Sequence, residues 1–173
     1  KQTTIQDILK TMEHLWAPWR MAYIKQEKNG ECIFCVLPQQ NEDEKCNILH
    51  RGKTCFVVMN IYPYTNGHLM VSPYSHSNCI TKLSQAELNE MAGMAQKSLE
   101  ILRTVYSPDG FNIGINIGKS AGAGFDEHLH THIVPRWQGD ANFMPVVGET
   151  KVHPEYIKTT YEKLRPFFQK LSS

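Results

Sequence analysis

The chain has 173 residues, 41% of them hydrophobic and 20% charged, which suits one domain with a real core and the profile of an ordinary globular protein. With 18 Lys and Arg against 17 Asp and Glu the net charge is +1, so no global field draws the chain to nucleic acid or to an anionic membrane, and any anionic ligand must be held by local chemistry. No apolar run is long enough to span a bilayer, and no secretory leader is recognised. Five cysteines, two of them as Cys32-x-x-Cys35, are an odd count that fits disulfide pairing poorly; they suggest a reducing, cytoplasmic setting with a metal or redox pair.

Residues 1–14 carry Ile5, Ile8, Leu9 and Met12 on one side and are expected to form a helix. Residues 15–24 follow with Trp16, Trp19 and Tyr23, an aromatic density that favours packing in a core or interface over stacking on a ligand. We therefore expect residues 1–30 to form an N-terminal helix and aromatic segment, and residues 31–173 to form a single domain with a C-terminal extension. The Cys32–Cys35 knuckle presents two thiolates to one tetrahedral ion, so zinc is natural if two more N or S ligands converge. The thioredoxin-like alternative needs a preceding strand and a helix opening at the motif, whereas here Pro38 and an acidic loop follow.

Residues 47–50 and 54–60 read as a hairpin around Arg51-Gly52-Lys53, and residues 68–73 as a third strand. Cys46 and Cys55 fall in these segments as small core or surface residues. Ser84 with Glu87 three residues later forms a capping box that opens an amphipathic helix running to about Tyr106, where Ser-Pro-Asp-Gly stops it. Residues 111–118 alternate strictly, which puts Phe111, Ile113, Ile115 and Ile117 on the core face. The loop 119–124, Lys-Ser-Ala-Gly-Ala-Gly, has side chains small enough for main-chain N–H groups to approach a phosphate. In residues 127–136, His128, His130 and His132 alternate with Leu, Thr and Ile, so that on a strand all three imidazoles leave one face. Residues 137–150 are irregular, and 156–168 form a last helix. The order β-β-β-α-β-β-α predicts an α+β domain: an antiparallel sheet of about five strands with one long helix and a C-terminal helix.

The sequence His128-x-His130-x-His132 resembles the signature of the histidine triad (HIT) superfamily of nucleotide-binding hydrolases and transferases, and therefore implies a HIT-like fold. The match extends to a strand ending in Asn60, to Gly67-His68 eight residues on, and to Asn116-x-Gly118 with the Gly-rich loop. The Trp-Ala-Pro-Trp-Arg segment and Pro135-Arg136-Trp137 resemble the diadenosine tetraphosphate (Ap4A) phosphorylase-like branch. The resemblance implies a structural Zn2+ on Cys32, Cys35, His76 and His128, with His50 as an earlier rival for His76 that has no counterpart in the pattern. It makes His130 the nucleophile, oriented by the main-chain carbonyl of His128, with His132 and His68 on the phosphate oxygens. Asn60 takes the ribose position and Ile33, Phe34 and Ile61 the base pocket.

The family's Gln-Ser/Thr phosphate contacts are replaced here by Gly124 and Phe125. Asn116, Lys119, Ser120, Gly122 and Gly124 are therefore expected to bind the nucleotide's phosphates. The implied reaction is cleavage of a dinucleoside polyphosphate at the α-phosphorus through a nucleotidyl-histidine, with water or inorganic phosphate as acceptor. A purine nucleoside phosphoramidase or mononucleotide hydrolase of the Hint type, and a non-catalytic nucleotide-binding regulatory module, are the competing readings. The family further implies a homodimer or higher homo-oligomer, with no membrane or nucleic-acid partner.

Overall fold

A computed structural model describes residues 31–140 and 155–172. The helix and aromatic segment expected over 1–30 lie outside these residues, as does most of the stretch after Trp137. A one-turn helix α1 (Ile33–Val36) precedes strands β1 (Ile48–Arg51), β2 (Cys55–Met59) and β3 (Leu69–Pro73). Helix α2 (Gln85–Tyr106) then leads to β4 (Gly110–Ile115), β5 (Thr131–Arg136) and helix α3 (Ile157–Gln169). The five strands form one antiparallel sheet in the order β1-β2-β3-β5-β4. This is the α+β architecture expected from the sequence.

Period-two alternation divides the sheet's side chains between two cores. Cys55, Val57, Met59, Leu69, Val71 and Ile133 point to the face covered by α2 and α3, where Leu102, Leu164 and Phe168 are fully buried. Ile48, Phe56, Val58 and Met70 point the other way, onto Phe34 of α1. Helix α2 begins where the capping box predicts: Ser84 Oγ accepts from the Glu87 N–H at 3.3 Å, and Glu87 accepts from the Ser84 N–H at 2.7 Å. It ends at Ser107, which adopts the left-handed conformation with φ 45°.

Two sequence expectations change in the fold. Strand β5 starts at Thr131, so His128 and His130 precede it and only His132 lies on the ladder. The reason is competition for the main chain. Leu129 N–H donates to Ser77 O at 2.6 Å and Leu129 O accepts from Ser72 Oγ at 3.1 Å, both with partners outside the ladder. On β4 the inner face is only partly covered: Phe111 and Ile115 pack on the core, but Ile113 is 49% and Ile117 44% exposed. β4 is an edge strand, and α2 lies over β2, β3 and β5 instead.

Glu90 joins α2 to the β1–β2 hairpin. Its carboxylate accepts the Lys53, Thr54 and Cys55 N–H groups at 2.8, 2.6 and 3.0 Å, together with the Thr54 hydroxyl. Gly52 is required there, because a Cβ would meet Met94 Cε and the Glu90 carboxylate. Partial burial opposes the charge on Glu90, but these hydrogen bonds outweigh it and hold the carboxyl below the usual glutamate range. A depressed carboxyl pKa stabilises the fold above the unfolded value, and that contribution is lost as pH falls through the folded one. Glu90→Gln is therefore expected to cost about 1–2 kcal/mol in urea unfolding at pH 7. The gap to the wild type should shrink as pH falls below the unfolded glutamate value and through the depressed folded one, where the wild-type carboxyl protonates.

Candidate active site

The knuckle is a tight turn in which the Cys35 and Val36 N–H groups both donate to Cys32 O at 2.9 Å, bringing the two thiols to one side. His76 arrives from the loop after β3 and His128 from the extended segment before β5. One ligand atom from each of Cys32, Cys35, His76 and His128 lies within 4.8 Å of the others. His128 Nδ1 is 3.2 and 3.5 Å from the two sulfurs, and His76 Nδ1 is 3.4 Å from Cys35 Sγ. Zinc bond lengths place sulfur and nitrogen ligands of a tetrahedral site about 3.3–3.8 Å apart, so this set fits such an ion.

The far nitrogen of His128 agrees: Nε2–H donates to Pro73 O at 3.0 Å, which fixes the tautomer with its lone pair on Nδ1, toward the thiols. Burial pushes the Cys32 thiol up to about 11, and a cation in the cluster is what would draw its proton off at neutral pH. The four residues can hold a metal ion. His50, the rival ligand, stands on β1 outside the cluster.

Next to this cluster stand three more imidazoles. His130 is 6% exposed, its Nδ1–H donates to His128 O at 2.9 Å, and its ring stacks on Phe34 with centroids 4.7 Å apart. Burial holds this imidazole below the ordinary histidine range, against the opposing pull of the carbonyl, so the ring is neutral near pH 7. A neutral ring with Nδ1 protonated carries its lone pair on Nε2.

His132 has the opposite polarity. The Tyr64 N–H can only donate, and it lies 3.1 Å from His68 Nδ1. His68 therefore carries its proton on Nε2 and donates to His132 Nδ1 at 3.0 Å. A neutral His132 must then hold its proton on Nε2. The His130 and His132 rings meet edge to face, centroids 4.8 Å apart. A lone-pair nitrogen and an N–H donor thus come from adjacent rings, a pairing that can attack a phosphorus and hydrogen-bond the charge on its oxygens.

The remaining sequence candidates surround these rings unevenly. Ile33 and Ile61 are 44% and 52% exposed, apolar surface of the kind a base could cover, whereas Phe34 is only 2% exposed and forms the wall behind His130. Asn60 Oδ1 accepts from the Tyr62 N–H at 2.9 Å in an Asx turn that fixes its side chain. Asn116 Nδ2 donates to Gly122 O at 3.4 Å, tying the end of β4 to the Gly-rich loop. There Lys119, Ser120 and Ala121 form a 3-10 turn, and Gly118 and Gly122 take φ of 81° and 84°. Lys119 Nζ lies 3.9 Å from Asp126 with its side chain largely in solvent. Sequence reasoning missed Tyr64 and Phe125. Tyr64 stacks on His68 at 4.8 Å, and Phe125 packs edge-on to Phe34 at 5.9 Å. No spacing rule marks Tyr64, because its part is played by its main-chain N–H.

Removing one thiol should open the metal cluster without touching the imidazole trio. Cys35→Ser is expected to lower metal affinity by more than the roughly 10–100-fold typical of losing a second-shell partner. Elemental analysis of the purified variant should show substoichiometric metal, and its melting temperature should fall toward that of chelator-treated wild type.

The chain is similar in sequence and in fold to known proteins. The HIT domain model matches residues 41–139. AP-4-A phosphorylase of Mycobacterium tuberculosis is 39% identical over 158 residues, covering 86% of this chain and 80% of the relative. The asymmetrical bis(5'-nucleosyl)-tetraphosphatase of Schizosaccharomyces pombe is 30% identical over 93 residues, 54% of this chain and 50% of the relative. Among solved structures, a Zn-bound histidine triad family protein from Mycobacterium smegmatis superposes with a TM-score of 0.64 at 25% identity, covering 82% of this chain and 96% of that one. The chain belongs to the histidine triad (HIT) family.

Proposed function

We propose that this protein is a nucleotidyl-transferring enzyme that cleaves dinucleoside polyphosphates such as Ap4A at the α-phosphorus. The observation that carries this reading is the opposite polarity of the two adjacent rings, a lone pair on His130 Nε2 and a proton on His132 Nε2. Its 39% identity to AP-4-A phosphorylase supports the choice of substrate class.

In the first step the His130 Nε2 lone pair attacks the α-phosphorus, an N–P bond forms, and the P–O bond to the leaving polyphosphate breaks. His132 Nε2–H donates a hydrogen bond to the departing oxygen, and the leaving polyphosphate carries off the electron pair as an anion. The positive charge created on the His130 ring is stabilised through Nδ1–H by the His128 carbonyl, 2.9 Å away. In the second step an oxygen of phosphate or water attacks the same phosphorus, the N–P bond breaks with its electron pair returning to His130 Nε2, and the proton released when water is the acceptor passes to solvent. Loop N–H groups around residues 119–124, with Lys119 and Ser120, face the charge on the phosphate oxygens. Asn60 takes the ribose, and Ile33, Ile61 and the edge of Phe34 take the base.

We assign zinc to the Cys32, Cys35, His76 and His128 cluster, on the chemistry of two thiolates and two imidazoles. Four protein ligands close the site, so the ion would supply rigidity to the knuckle. The partly exposed inner face of edge strand β4, with Ile113 and Ile117, favours a homodimer through β4 and α2. Five cysteines with no disulfide among the described residues suit a reducing cytoplasm. No helix among the described residues is long and apolar enough to cross a membrane.

Incubation of Ap4A with the protein, with and without inorganic phosphate, separates the acceptors. ADP and ATP formed only with phosphate mark phosphorolysis, whereas AMP and ATP formed without it mark hydrolysis. No cleavage under either condition would overturn the reading. His130→Ala should lower kcat/KM by about 10⁴–10⁶-fold and abolish the trapped covalent nucleotidyl adduct, while nucleotide binding persists.

A further inference from the structure

The loop between β2 and β3 is pinned at both ends and in the middle. Asn60 N–H donates to His68 O at 3.0 Å, closing the loop on itself, and His68 N–H returns to Thr65 O at 3.2 Å. The Thr65 hydroxyl reaches out of the loop and donates to Pro135 O at 2.7 Å. Pro135 lies on β5, two residues past the point where the β3–β5 ladder ends at Leu69 and Ile133. On its other side Pro135 is paired with Phe111 of β4. The Thr65 side chain thus takes up a β5 carbonyl beyond the reach of the β3 main chain. It docks the loop on the strand that carries His132.

That docking point is adjacent in sequence to Tyr64, whose N–H meets His68 Nδ1 at 3.1 Å while its ring stacks on the same imidazole at 4.8 Å and 24°. Which nitrogen of a neutral imidazole holds the proton is decided by the hydrogen bond made at the other nitrogen. With the alternative tautomer, His68 Nδ1–H would face the Tyr64 N–H, donor against donor, in a residue only 1% exposed. His68 Nε2 would then accept from His132 Nδ1–H. His132 would turn a bare lone pair toward a charged leaving oxygen and have no hydrogen bond to donate.

We propose that Thr65 is a positioning residue: by clamping the loop to Pro135 it sets the Tyr64 N–H on His68 and so keeps His132 Nε2–H as a hydrogen-bond donor toward the reacting phosphate. The kinetic consequence rests on the nucleotidyl-transfer reading above, but the tautomer does not.

The direct test is nitrogen-15 imidazole NMR of the metal-loaded protein, with Thr65→Val and Thr65→Ser beside the wild type. In wild type and Thr65→Ser, both His68 and His132 should carry their protons on Nε2. In Thr65→Val, which keeps the shape but loses the hydroxyl, the Nδ1-protonated form of His132 should appear. With Ap4A, Thr65→Val should lower kcat by about 10–100-fold at unchanged KM, the scale of one lost hydrogen bond to a charged oxygen, and Thr65→Ser should restore it. A merely structural role would move stability without moving the tautomers.

A wild-type His68 protonated on Nδ1 overturns the proposal without any variant, which covers the case of a Thr65→Val protein that does not fold. Wild-type tautomers in a folded Thr65→Val protein overturn it as well. If the wild type cleaves no Ap4A, the proposed reaction fails while the spectra still decide the role of Thr65.

Discussion

A buried neutral imidazole has one nitrogen that must donate and one that must accept, and the site depends on meeting that demand at three rings that are almost wholly out of water. His68 and His128 are each 1% exposed and His130 is 6%. In every case the main chain makes the choice. Pro73 O takes the proton side of His128, His128 O takes that of His130, and the Tyr64 N–H takes the lone-pair side of His68. The end of β3, the segment before β5 and the β2–β3 loop each contribute one group. A chemical distinction between neighbouring, identical side chains is thereby written by backbone geometry.

Phe34 links the two halves of the site. It sits between the knuckle cysteines, stacks on His130 at 4.7 Å and lies 5.4 Å from the His128 ring. Behind it are Phe56, Val58 and Met70, the sheet's second core. A knuckle that shifted would carry Phe34 with it and loosen the wall against which the His130 ring is packed. The cysteine–histidine cluster and the imidazoles beside it therefore share one apolar surface as well as one segment of chain.

Much of this is legible in the sequence because it is local. The alternation of His128, His130 and His132, the Cys-x-x-Cys knuckle and the Ser84–Glu87 capping box each sit within a few residues, and the element order follows from them. The start of β5 is not legible. Residues 128–130 have the same pattern as the strand after them, and only the positions of Ser72, Pro73 and Ser77 divert their hydrogen bonds out of the ladder. Ile113 alternates like a core residue, but whether α2 covers it depends on where a 22-residue helix crosses the sheet. Glu90 reads as one more charge on a solvated helix face until the hairpin folds down onto it. Tyr64 and Thr65 look like loop filler because what they contribute is a main-chain N–H and a hydroxyl aimed at a distant carbonyl.

His128 shows why one residue type can answer two separate demands. Its Nδ1 faces the thiols at 3.2 and 3.5 Å, its Nε2 holds Pro73 O at 3.0 Å, and its carbonyl receives His130 Nδ1–H at 2.9 Å. Only the first two depend on the side chain. Any residue at this position would offer the carbonyl that orients His130, so that contact does not explain a histidine here. The knuckle does, because two thiols beside one open Nδ1 need an imidazole whose other nitrogen is already engaged. Of the three alternating histidines, the first is explained by its place beside the two thiols, and the second is tied to it by the hydrogen bond from His130 Nδ1–H to its carbonyl.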